Sequence, residues 1–360
     1  MKEILVTGGT GFLGSPLVKK LSEAGHHLKL LVRETSDTSC FEGLDNVEYV
    51  IGDVTDMDSL YKAVENIDVL CHLAAYTRNW SRDKKIWEKV NVIGTENIAK
   101  IALEKKIRLV YASSFMGLGV TPKNCAEPVD ETHDNDEVFT LDYGKSKYKA
   151  KKIVEQYIEK GLNACMVYPT ILYGPGDFNV FGQILHDIVA GSIMAICPGK
   201  GDSVANFVYV NDVADGIVTI IENGDLNNEH FILGGENIVF NDWLNLIAEI
   251  AGTRKPRHIP MSVGLSYGRM CSMAAKITKR KPLYTRGIIK NIKYNREYSS
   301  EKAVKQINYK ITPLKEAMQT TVEWYMDYVE ANKKKKKKAT KKEKQAKVEK
   351  SDKQMKEVIA

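Results

Sequence analysis

No apolar run in the 360 residues approaches the ~20 that a membrane span needs. The six cysteines, Cys40, Cys71, Cys125, Cys165, Cys197 and Cys271, are scattered with no C-x-x-C and no paired spacing. That pattern argues against a zinc site or a disulfide framework, so no metal site is expected. There is no internal repeat. The strand-like run Ile4-Leu5-Val6 begins so near Met1 that it leaves no room for the charged and apolar regions of a secretory signal. A reducing, cytoplasmic setting is the expectation.

Charge is present but unevenly spread. Between Lys333 and Ala360 thirteen lysines face four acidic residues, so the net charge of +6 hides a mildly acidic body with a basic appendage. Six consecutive lysines repel one another and have almost nothing to bury, so residues 329–360 are expected to form a Lys-rich disordered tail, its lysine run either disordered or a fluctuating helix. Such a run can touch nucleic acid or an anionic surface weakly, although a solubilising tail is the simpler reading.

Short apolar runs at Ile4–Val6, Leu28–Val32, Val69–Leu73, Arg108–Ala112 and Ala164–Val167 read as strands. Stretches of helical periodicity lie between them, at Pro16–Ala24, Ser59–Val64 and Gly94–Glu104. Such alternation makes βαβ units, and hence an α/β, doubly wound parallel sheet with helices on both faces. After Gly174 the rhythm breaks into Gly- and Pro-containing loops around 178–200, then into helical segments at Val213–Ile221 and Trp243–Ile250. This predicts a dinucleotide-binding Rossmann domain over 1–168, with 205–236 returning to it. A smaller C-terminal substrate-binding lobe, 169–204 and 237–328, would be draped over the carboxyl ends of the strands, where open α/β sheets bind ligands.

The first strand runs into "TGGTGFLG", residues 7–14, with Pro16 near the start of the following helix. The glycines read as Gly9-x-Gly11-x-x-Gly14 or as Gly8-x-x-Gly11-x-x-Gly14. Either spacing permits a tight turn, close backbone approach to a pyrophosphate, and a helix N-terminus aimed at it. The second strand ends in Val32-Arg33, where an NAD-binding fold usually offers a carboxylate. A guanidinium suits a 2′-phosphate by charge and bidentate geometry, which favours NADP; Glu34 beside it keeps NAD as the alternative. Gly52-Asp53-Val54 follows the strand-like 47–51. Asp53 there can take an adenine amino group or serve as a turn residue.

Residues 141–152, "LDYGKSKYKAKK", contain Tyr-x-x-x-Lys twice, as Tyr143 with Lys147 and as Tyr148 with Lys152. Tyr143, Lys147, Ala150, Val154 and Tyr157 share one helical face, while Tyr148, Lys152, Glu155 and Glu159 form a polar stripe on another. Only the first pair turns inward. A lysine one turn away is expected to lower the phenol's pKa so that it trades a proton near neutral pH.

The set "TGGTGFLG", "GDVTD", "HLAA" (72–75), "YASS" (111–114) and "YGKSK" (143–147) resembles the extended short-chain dehydrogenase/reductase superfamily, the NAD-dependent epimerase/dehydratase family, over about residues 1–328. The resemblance implies Tyr143 as acid/base, Lys147 as its partner and the ribose holder, and Ser114 orienting the substrate oxygen, with Ser113 as competitor. It implies dinucleotide contacts from Gly8, Gly11, Phe12, Leu13, Gly14, Arg33, Asp53, Val54, Ala74, Pro169 and Thr170. Tyr76, Trp80 and Phe115 are candidate substrate contacts, set against ordinary core packing. It also implies a homodimer through 94–104 and 147–159.

Nucleotide-sugar members of that superfamily carry an Arg and an Asn in a stretch where this chain has Tyr168 and Ile171, and an Arg-Asp where it has Ala205-Asn206. Without those groups a nucleotide diphosphate is disfavoured. "YTRNWSRD" (76–83), "YPTILYGPGD" (168–177) and "HFILGGEN" (230–237) instead resemble the dihydroflavonol-4-reductase-like branch, which includes hopanoid-associated sugar epimerases. That implies an oxidoreductase acting on a carbonyl or secondary alcohol. The alternatives are an epimerase or dehydratase with tightly held NAD, and a non-catalytic dinucleotide sensor. Residues 260–281 read as a helix that either packs on the lobe or lies on a membrane or lipophilic substrate; lobe packing is the preferred reading.

Overall fold

A computed structural model describes residues 1–119, 127–135, 139, 141–193, 195–278, 282, 284–292 and 294–334. Strands β1 (Glu3–Thr7), β2 (His27–Val32), β3 (Val47–Ile51), β4 (Val69–His72), β5 (Arg108–Ala112) and β6 (Ala164–Pro169) alternate with helices α1 (Gly14–Glu23), α2 (Met57–Ala63), α3 (Gly94–Lys105) and α4 (Asp142–Glu159). Three short strands follow, β7 (Ile171–Tyr173), β8 (Ile196–Pro198) and β9 (Val204–Tyr209), with α5 (Val180–Val189) among them. Then come α6 (Val210–Glu222), β10 (His230–Leu233), β11 (Glu236–Val239), α7 (Phe240–Ile250) and β12 (Arg257–Ile259).

The main sheet has seven strands in the order β10-β6-β5-β4-β1-β2-β3, every pairing parallel. β4, β5 and β6 are buried along their whole length because helices cover both faces, which is why they read as unbroken apolar runs. On one face Leu17, Val18 and Leu21 of α1 meet Val213, Ile217 and Ile220 of α6. On the other, Leu60, Ile98, Ala102 and Val154 pack from α2, α3 and α4. The winding reverses between β1 and β4, the place where such sheets open a crevice at their carboxyl edge.

A second sheet, β11-β9-β7, and the pair β12-β8 lie outside this frame. Within the stretch expected to return to the main sheet, α6 and β10 do so, while β9 belongs to the small sheet. Two expectations need correction. Residues 178–200 are not only loops: α5 forms there because Ile184, Leu185 and Ile188 recur at helical spacing and are all buried. The tail does not begin at 329. A helix spans 314–334, with Val329 still buried and Glu330 paired with Lys334 at 2.7 Å. The lysine run beyond Lys334 lies outside the described residues.

The helix Met261–Thr278 turns Gly264 and Gly268 onto Pro198 and Ile289, as lobe packing requires, while Val263, Met270, Met273 and Ile277 face outward. Among the described residues no helix is long and apolar enough to cross a membrane.

Candidate active site

The loop after β1 is held tight by glycine. Gly8 has φ of +74°, and a Cβ on it would stand 2.6 Å from the Ala74 nitrogen, at the end of β4. A Cβ on Gly14 would stand 2.2 Å from the Gly8 carbonyl oxygen. Gly11 closes the turn, its N–H donating to Gly8 O at 3.0 Å. The load therefore falls on Gly8, Gly11 and Gly14, the second of the two spacings. Phe12 and Leu13 complete the turn, Leu13 sits at the N-cap of α1, and neither a side chain nor an acidic residue caps its first turn. An uncapped helix N-terminus behind a glycine-rich loop with no acidic side chain fits a pyrophosphate.

Arg33 is exposed just past β2, its N–H donating to Ser36 Oγ at 3.1 Å, and its guanidinium makes no ion pair among the described residues. Asp53 Oδ1 accepts from the Thr55 N–H at 2.9 Å and hydroxyl at 2.7 Å, so this oxygen serves the turn. Val54 packs against Gly94 at the start of α3. Ala74 N–H donates to Thr7 Oγ1 at 3.3 Å. Pro169 ends β6, and Thr170 is buried with its hydroxyl donating to Asn206 Oδ1 at 2.7 Å.

Ser114 leaves β5 in an extended conformation and accepts the Met116 N–H at 3.2 Å. That contact occupies a lone pair and leaves the hydroxyl proton free to act on the phenol of Tyr143, whose pKa Ser114 lowers against burial. One turn on, Lys147 is 2% exposed; its Nζ donates to Ala112 O at 2.9 Å and lies 5.1 Å from the centre of the Tyr111 ring. Tyr143, Lys147 and Ser114 are thus brought together at the carboxyl edge of β5. Ser113 is also buried, and its Oγ lies where a Cβ on Gly117 would stand, 2.4 Å from it.

The expected tuning of the phenol is not what the structure shows. Burial pushes Tyr143 up to about 12, and Ser114 is the group that opposes it. The physical reason lies in Lys147, which burial drives down to about 7 and which therefore offers less than a full cation near neutral pH. The second Tyr-x-x-x-Lys sits in a different environment. Lys152 pairs with Asp134 and with Glu155, and with Lys151 it flanks the Tyr148 ring.

A chain of buried polar groups that the sequence did not reveal supports the triad. His72, at the end of β4, contacts Thr7 Oγ1 at 2.7 Å and Thr95 Oγ1 at 3.2 Å. Burial, helped by Lys147, keeps its imidazole neutral down to about pH 3. Thr95 donates to the Asn91 carbonyl at 2.7 Å, and Asn91 Nδ2 donates to Ser146 Oγ at 2.9 Å. Ser146 in turn donates to the carbonyl of Tyr143 at 2.7 Å. Asn91 lies in a π-helical stretch, Glu88–Ile93, that runs straight into α3. The signal available in sequence was only a polar Asn within the otherwise apolar "VNVIG".

Beside the triad lies an apolar cavity. Its walls include Met116, two residues after Ser114, and Leu141, two before Tyr143, with Ile171, Phe181 and Phe207. Arg296 also lines it, bridged to Ala205 through the backbone. A guanidinium is thus offered after all, from a segment no motif marked. Phe115 packs against Tyr298 and under Arg296, while Tyr76 and Trp80 sit in the neighbouring loop, the Tyr76 hydroxyl donating to Trp80 O at 3.2 Å. Asn79 is the residue of that loop in the cavity wall.

Residues 4–234 match the NAD dependent epimerase/dehydratase family. The chain is 28% identical over 329 residues to a Synechocystis sp. protein that bears the name of a dihydroflavonol 4-reductase, spanning 90% of this chain and 94% of that one. It is 27% identical over 331 residues to the sterol demethylase protein B of Methylococcus capsulatus, spanning 90% and 98%. The solved structure of gox2253 shares the fold with a TM-score of 0.75 at 34% identity, over 91% of this chain and 99% of that one.

Proposed function

The chain belongs to the NAD dependent epimerase/dehydratase family, and from that premise we propose an oxidoreductase that moves a hydride between a nicotinamide dinucleotide and a carbonyl or secondary alcohol of a small organic substrate. The observation that carries this reading is the grouping of Ser114, Tyr143 and the buried Lys147 at the carboxyl edge of β5, beside a mostly apolar cavity. The dinucleotide, when bound, supplies or takes the hydride. In reduction, the Tyr143 hydroxyl gives its proton to the substrate oxygen as negative charge develops there, and Ser114 donates a hydrogen bond to the same oxygen. Lys147 would restore the phenol's proton and would hold the ribose. Ser146, tied to Asn91, fixes the backbone turn that aims Tyr143.

The loop at Gly8, Gly11, Phe12, Leu13 and Gly14 would hold the pyrophosphate. Asp53 and Val54 would flank the adenine, Ala74 the phosphate or ribose side, and Pro169 and Thr170 the nicotinamide. Arg33 supports NADP over NAD, since an exposed guanidinium without an acidic partner suits a 2′-phosphate. Residues 1–168 with α6 and β10 form the dinucleotide unit in this reading, and the remainder to 328 the substrate lobe. A cytoplasmic homodimer belongs to the same reading and rests on the resemblance alone.

The test is a matched pair of variants. Tyr143→Phe should lower turnover by about 10²–10⁴-fold, with NADPH and NADH titrations unchanged from the parent. Tyr148→Phe should turn over normally. Full activity in Tyr143→Phe would refute the assignment of the acid/base. Tighter binding of NADPH that is lost in Arg33→Ser would uphold the cofactor reading, and stoichiometric, non-exchanging NAD on the purified protein would transfer it to an isomerase.

A further inference from the structure

The cavity beside the triad is mostly apolar; Asn79, Ser203, Asn291 and Tyr294 add neutral polar groups, and Arg296 is the one charged residue among its described walls. Arg296 enters it from a backbone position fixed on both sides: its N–H donates to Val204 O at 2.8 Å and its carbonyl accepts the Asn206 N–H at 3.0 Å. Of the five donors on its guanidinium, Nη2 meets the neutral Asn291 Oδ1, and the plane sits 5.9 Å from the Phe115 ring centre. No carboxylate pairs with it among the described residues. Burial acts against its charge, and among the described residues Tyr298 and Tyr294 oppose that. Even a half-buried guanidinium without an anion is costly, and a ligand's anion would relieve that cost.

We propose that the substrate carries a carboxylate on an apolar body, and that Arg296 receives that carboxylate while the reacting carbon lies at Tyr143. This rests on reading the cavity as the substrate site of the oxidoreductase. A planar guanidinium offers two parallel N–H donors that match one carboxylate. One cation cannot match a diphosphate. The walls at Ile171, Val180, Phe181, Phe207 and Phe240 would leave the oxygens of a nucleotide unpaired. They suit an aliphatic or alicyclic frame.

Calorimetric titration of the dinucleotide-saturated full chain tests this. The ligands are hexanoate, cyclohexanecarboxylate and phenylacetate, each beside its primary amide, and UDP. At least one carboxylate should bind about tenfold or more tightly than its amide. The preference should vanish in Arg296→Met and survive in Arg296→Lys, with melting temperature and dinucleotide affinity held in both. Equal binding of acid and amide, no carboxylate binding at all, a preference that persists in Arg296→Met, or Arg296-dependent binding of UDP above the carboxylates would each overturn it. The outcomes separate from those of the function itself. Hydride transfer to neutral ketones without any carboxylate preference defeats Arg296 alone, and a carboxylate preference in a protein that transfers no hydride defeats the oxidoreductase alone.

Discussion

Lys147 is placed under opposed demands. Its bond to Ala112 O and the face of Tyr111 favour the charged form, and burial disfavours it; burial wins, and the group falls from 10.5 to about 7. The folded state thus binds this proton more weakly than the unfolded chain. The cost is fully present below about pH 7 and is relieved as pH rises towards 10.5, so this residue makes stability climb with pH across that window. Urea melts of the parent and of Lys147→Met should diverge there, the parent alone gaining; parallel profiles would mean that the ammonium is solvated in the fold. In the proposed reaction Tyr143 would govern activity with the other sign. Held up at about 12, its hydroxyl keeps the proton that ketone reduction needs throughout the neutral range. Alcohol oxidation needs the phenolate, so its rate should rise with pH in the alkaline range while reduction stays level. An oxidation rate indifferent to pH would remove Tyr143 from the proton's path.

Among the elements, the turn from β1 into α1 is the most constrained. Gly14→Ala would drive a methyl group into the Gly8 carbonyl and the Gly9 backbone, at 2.2 Å and 2.7 Å, so the loop must deform. Dinucleotide affinity should fall at least about tenfold, the loss of one charge-assisted contact to phosphate. Gly25→Ala is the control: its φ is +79° but no atom stands near the added carbon, so it should cost only about 1–2 kcal/mol of backbone strain and leave affinity alone. Normal dinucleotide binding by Gly14→Ala would show that this loop is not the cradle. The same turn shows what sequence can carry. β4, β5 and β6 were legible because strands covered on both faces read as near-continuous apolar runs, and the buried Lys147 was separable from the more exposed Lys152 because helical spacing decides which side turns inward. The buried polar chain through Asn91 was not legible, since it is completed by a bond to Ser146, 55 residues away. Arg296 was hidden for the same reason: nothing local says that it will be bridged to Ala205 and aimed into a cavity.

At the scale of the whole molecule, two cores flank one sheet, and the chain's last described helix closes one of them. Leu314, Ala317, Met318, Val322, Tyr325 and Val329 recur at three- and four-residue steps and are all buried. The Tyr325 hydroxyl also donates to the Asp177 carbonyl, binding this helix to the loop before α5. Burying a Leu, Met, Val or Tyr side chain stabilises by about 1.5–3 kcal/mol, so removing the helix takes away on the order of a small domain's entire stability. The lysine run beyond it has little apolar surface to contribute. Two truncations therefore part company. A chain ending at Lys334 should keep the parent's melting temperature, turnover and dinucleotide affinity, and lose only whatever weak, salt-sensitive attraction the parent shows for duplex DNA or anionic vesicles. A chain ending at Pro313 should fail to fold or melt far lower. Calorimetry with retention on an anionic resin across a salt series reads both, and a drop in turnover for the chain ending at Lys334 would mean that the lysine run serves the active site and is no mere appendage.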